Sequence, residues 1–63
     1  MLLKIQSTTE NDYETGETLY WHTEDGWVSL DTSTSYGEGE AQWLNLPLGG
    51  RWVNAKTLEP QRF

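Results

Sequence analysis

Apolar residues in this chain recur at helical spacing over no ten-residue stretch. They alternate in short runs cut by glycine, proline and acid, a pattern that excludes a helical bundle and leaves strands and turns. With 63 residues the chain has room for one domain, residues 1–63. A domain this short buries only about 60% of the surface its unfolded chain exposes. It contains no cysteine and a single histidine, so neither a disulfide nor a His/Cys metal cluster supports it. Four Trp, three Tyr and one Phe supply bulk instead, each able to bury on the order of 150–250 Å².

The most organised stretch runs from Gln42 to Leu58. Period-two reading makes two strands, 42–46 and 51–55, around the turn Pro47-Leu48-Gly49-Gly50. Alternation then places Leu44, Leu46, Val53 and Ala55 on a core face and Trp43 and Trp52 on the opposite face. An earlier hairpin, Leu19 to Asp31, turns at Thr23-Glu24-Asp25-Gly26, with Gly26 in the left-handed position of a bulge. Its expected register sets His22 opposite Val28 and Tyr20 opposite Leu30, and brings Trp21 and Trp27 together on one face. Residues 2–7 open the chain as a strand whose apolar face is Leu3 and Ile5. Residues 7–17 and 32–40 read as polar loops around Tyr13 and Tyr36, and the first carries Asp12, Glu14 and Glu17. A single helical turn over 54–58 is stopped by Pro60, and residues 61–63 form a tail.

Ten acids against four bases give a net charge of −6. Phosphate backbones and anionic membrane surfaces repel such a chain, so direct nucleic-acid or membrane binding is not expected and basic partners are favoured. The apolar opening Met1–Ile5 is too short for a signal-peptide core or a membrane span, and a soluble cytoplasmic protein is the expectation.

The closing segment also carries a resemblance. Trp43-Leu44-Asn45-Leu46, a Gly-Gly turn, Arg51-Trp52-Val53 and Asn54-Ala55-Lys56-Thr57-Leu58 resemble the closing half of SH3-type domains. The match covers roughly the last third of the chain, with Arg51 where such domains usually have glycine. The resemblance implies an all-β, five-stranded SH3-like barrel of antiparallel strands with a short 3₁₀ turn near the C-terminus. It would place Trp43 in a partner groove beside Asp12, Glu14 and Glu17.

No spacing of Ser, His and Asp suggests a nucleophile, and a lone strand histidine such as His22 reads as structural. Asp12, Glu14 and Glu17 lack the ligand order of a calcium loop. The glycines of Gly37-Glu38-Gly39-Glu40 come without a lysine for phosphate. No catalytic residue, metal or cofactor is expected. What remains is a non-catalytic interaction module that docks a basic protein or peptide. Its contacts would be Trp43, Trp52, Trp27, Tyr13 and Tyr36, with Asp12, Glu14 and Glu17 selecting charge. The alternative is an acidic nucleic-acid mimic of the phage-inhibitor kind, and a carbohydrate-binding module that stacks sugars on tryptophan is a third class. Oligomerisation is one way so small a core gains burial, which makes a homodimer an expectation as well.

Overall fold

The computed structural model describes residues 1–61. Five antiparallel strands form one curled sheet: β1 (Leu2–Asn11), β2 (Thr18–His22), β3 (Gly26–Val28), β4 (Tyr36–Gly37) and β5 (Gly50–Asn54). A 3₁₀ turn covers Leu30–Thr32, and a one-turn helix, α1, covers Glu38–Ala41 between β4 and β5. Among the described residues no helix is long and apolar enough to cross a membrane.

β1 is the axis of the sheet. One edge carries β5 over the whole run from Leu3↔Asn54 to Ser7↔Gly50. The other edge takes β4 at Leu2 and Leu3 and β2 from Gln6 onward. Directly opposed residues share a face, so Leu3, Ile5, Tyr36 and Trp52 point one way. They form the core with Ala41, and Trp21, Trp27 and Leu44 pack against it. Tyr36 and Trp52 meet edge to face at 5.5 Å, and Trp21 and Trp27 at 5.0 Å.

The register of β1 shifts between Gln6 and Asn11. A bulge there frees backbone amides, and the buried Ser7 Oγ accepts them, from Thr9 at 3.1 Å and Glu10 at 2.6 Å. β1 thus runs beyond the expected 2–7 to Asn11, and the first loop shrinks to 12–17.

The β2–β3 hairpin turns at Gly26 with φ +82°, the left-handed position expected of it. The pairs are Tyr20↔Val28, Trp21↔Trp27 and His22↔Gly26, two residues tighter than the sequence register. An even shift leaves the faces unchanged, so Trp21 and Trp27 still lie together. Leu30 leaves the ladder for the 3₁₀ turn.

The second expected hairpin does not form. Residues 42–46 are not a strand, and β5 pairs with β1 instead. The turn itself survives: the Gly50 N–H donates to the Pro47 carbonyl at 2.9 Å, and Gly49 adopts φ +81°, as the third position of a type II turn requires. Residues 32–40 likewise hold β4 and α1 rather than a continuous loop.

At the C-terminal end one turn spans 55–57, closed by the Leu58 N–H to the Asn54 carbonyl at 2.7 Å; the 3₁₀ helix lies earlier, at Leu30–Thr32. Pro60 then bridges Val53 on the outer edge of β5. Proline has no N–H, and the flanking bonds, Asn54 N–H to Glu59 O and Gln61 N–H to Trp52 O, do the pairing. The remainder of the expected tail, Arg62 and Phe63, lies outside the described residues.

Candidate interaction surface

The structure sorts the expected contact residues by burial. Trp52 and Tyr36 are core residues, 7% and 6% exposed, and neither can serve as a docking anchor. Pairing with residues 42–46 would turn Trp52 outward, as the sequence pattern predicts. Paired with β1, it stands opposite Ile5 on the core face, while Val53 stands opposite Lys4 on the other face and is fully buried. β5 is therefore buried on both sides at Trp52-Val53, and that consecutive pair carries the signature rather than alternation. The expected aliphatic face dissolves with it: Leu46 is exposed, Ala55 is half-buried, and only Leu44 packs on the core. Trp27 is half-buried against Trp21.

Trp43 is different: it stands 70% exposed. α1 sets it there. The Glu40 carbonyl accepts the N–H of Trp43 at 3.2 Å and of Leu44 at 3.0 Å, which fixes the backbone on leaving the helix. Ala41 is buried and Leu44 packs on the core, so residues on both sides of Trp43 are anchored inward. Beyond it, Leu46 and Leu48 are exposed, the latter at 98%. The acids that accompany Trp43 along the chain are Glu38 and Glu40 of α1. Glu38 lies 3.6 Å from the Met1 ammonium, and the Glu40 carboxylate accepts the Gly37 N–H at 3.1 Å.

Tyr13 is fully exposed at the tip of the 12–17 loop. That loop is ordered by Asp12, whose Oδ1 accepts the N–H groups of Glu14 at 2.8 Å and Thr15 at 3.0 Å. These bonds, Thr15 first and Glu14 second, hold the Asp12 carboxyl below the usual carboxylate range. Asp12 thus builds the turn, while Glu14 and Glu17 point to solvent. The acidic loop leaves the Asn11 end of β1, whereas α1 starts where Gly37 pairs with Leu2 at the other end. The loop that carries the expected acids and the helix that precedes Trp43 thus start from opposite ends of the ten-residue β1.

His22 serves its own turn: Nδ1 accepts the N–H groups of Glu24 at 3.1 Å and Asp25 at 3.2 Å. No group of three His, Cys, Asp or Glu side chains able to hold a metal occurs among the described residues.

Two features of the face opposite the core escaped the sequence reading. One is a polar ladder across three strands. Arg51 Nε donates to Gln6 Oε1 at 2.8 Å, and Gln6 Nε2 donates to Tyr20 Oη at 3.0 Å. The other is a groove of about 520 Å³ with almost wholly apolar walls, including Met1, Leu2 and Ala55, and lined also by Lys4 and Lys56. Alternation along β1 could have placed Leu2 and Lys4 together; the approach of residues 55 and 56 needed the β1–β5 pairing.

No protein-family model, curated protein or solved structure matches the chain.

Proposed function

We propose that the protein is a non-catalytic interaction module of SH3-like type that docks a basic protein or peptide through Trp43. Leu46 and Leu48 extend the apolar contact, and the exposed Glu40 favours cationic partners. One observation carries this reading: Trp43 stands exposed between Ala41 and Leu44, which pack on the core, with its N–H tied to the Glu40 carbonyl. A large aromatic on a rigid support loses little conformational entropy on binding, which is why tryptophan dominates interface hot spots. The SH3-like assignment rests on the resemblance, on the pairing of the first strand with the last, and on the acidic loop after the first strand. The use of His22 within its own turn supports a binding role over catalysis.

A second reading, a nucleic-acid mimic, is favoured by one observation: nine of the ten acids are exposed and Asp12 is half-buried. Such a protein would offer carboxylates to a site built for phosphates.

The two readings separate by capture from a nuclease-treated lysate on the immobilised protein, with stepwise salt elution. The docking reading expects a partner that is lost from Trp43→Ala and retained by the triple variant Asp12→Asn, Glu14→Gln, Glu17→Gln. Retention by Trp43→Ala and loss from the triple variant would overturn it in favour of the mimic.

A further inference from the structure

The molecule is strongly acidic, yet its described cations gather on the sheet face away from the core. Lys4 and Arg51 share that face by register, and Lys56 lines the same groove as Lys4. None of the three forms an ion pair with an acid among the described residues. The groove between Lys4 and Lys56 is lined by none of the ten acids, whereas the depression beside Tyr20 is lined by Glu17 and Asp31. The nearby Glu38 is already matched to the Met1 ammonium. Lys4 Nζ is oriented by Ser33, donating to its carbonyl at 3.1 Å and its Oγ at 2.9 Å. The Lys56 ammonium makes no hydrogen bond among the described residues and is exposed. An apolar seat with an oriented cation on one side and a free one on the other is complementary to an apolar side chain flanked by carboxylates.

We propose that this groove is a second docking site, and that it takes a protein segment carrying adjacent large aliphatic residues flanked by acids. The net charge of −6 opposes any anion at long range, so affinity rests on the apolar seat and selectivity on the lysine pair. The site is independent of Trp43 docking and stands or falls separately.

The test is an amide-resolved NMR titration of the full chain with a blocked tetrapeptide, Glu-Leu-Leu-Glu. Controls are Gln-Leu-Leu-Gln, Glu-Ser-Ser-Glu and sodium decanoate. The expected result is saturable shifts at the Leu2, Ala55 and Lys56 amides. Binding should weaken roughly fivefold or more with the glutamine peptide and with Lys56→Glu, vanish with the serine peptide, and be unchanged in Trp43→Ala. Lys56→Glu changes an exposed side chain and leaves the Lys56 N–H bond to Asn54 Oδ1 in place, so the variant should fold. Silence at those amides, equal binding of the glutamine peptide, or no effect of Lys56→Glu would overturn the proposal. Stronger saturation by decanoate than by the peptide would overturn the choice of a protein segment.

Discussion

Trp43 and Trp52 stand at opposite extremes of burial, 70% and 7% exposed. Trp52→Ala removes an indole packed on Ile5 and Tyr36 and should cost about 3–5 kcal/mol. At 0.05–0.15 kcal/mol per residue, a 63-residue domain has roughly 3–9 kcal/mol to lose, so this variant should unfold at a far lower urea concentration than the parent. Trp43→Ala should stay within about 0.5 kcal/mol of the parent. The glycines make a second contrast. A Cβ at Gly50 would lie 2.7 Å from Ile5 Cγ2 and 3.2 Å from the Pro47 carbonyl, so Gly50→Ala should destabilise by about 1–3 kcal/mol. At Gly39, inside α1, a Cβ meets nothing within 4 Å, and Gly39→Ala should stabilise by up to about 1 kcal/mol. Equal denaturation midpoints for the two glycine variants would contradict this packing. From sequence, composition names the bulky residues that must fill the core; which indole lies inside depends on the partner strand, and that partner is distant in the chain.

At the scale of elements, the acidic loop is a turn closed by its own carboxylate. Because Asp12 has a lowered carboxyl pKa in the fold, its ionised form contributes stability above the usual carboxylate range. That contribution is lost as pH falls through the lowered value. Asp12→Asn keeps an acceptor oxygen but no charge. Its melting temperature should fall below the parent's at neutral pH, and the gap should close in acid; a gap independent of pH would show that the charge plays no part. Where structure is local, the sequence was legible. The β2–β3 hairpin follows from Gly26, and β1 from the alternation of Leu3 and Ile5. Local alternation failed at 42–46, where Trp43, Leu44 and Leu46 mimic a strand beside a genuine turn. The longer pairing of β5 with β1 wins there because it buries Trp52 against Ile5 and leaves only Leu44 to cap the core. The candidate site was half legible for the same reason: Trp43 and Tyr13 are exposed as read, while Trp52 and Tyr36 were drawn inward by pairings far apart in sequence.

Across the whole molecule, nine exposed acids spread over β1, α1, loops and turns leave the charge of −6 largely unneutralised, while the described Lys and Arg residues gather on one face. Self-repulsion of this kind is screened by salt. The urea midpoint should therefore rise as sodium chloride goes from low to physiological concentration; a fall would mean that attractive pairs outweigh repulsion. The same scale holds the central claim, that three tryptophans build the fold and the fourth is held outward on an ordered backbone. Two-dimensional ¹⁵N NMR with a soluble paramagnetic agent, combined with backbone heteronuclear relaxation, tests it most directly. The account predicts that the Trp43 indole signal is attenuated most and the Trp52 indole least, with the Trp43 amide as rigid as those of β1 and β5. A protected Trp43 indole, or a Trp43 amide far more mobile than the strands, would contradict it.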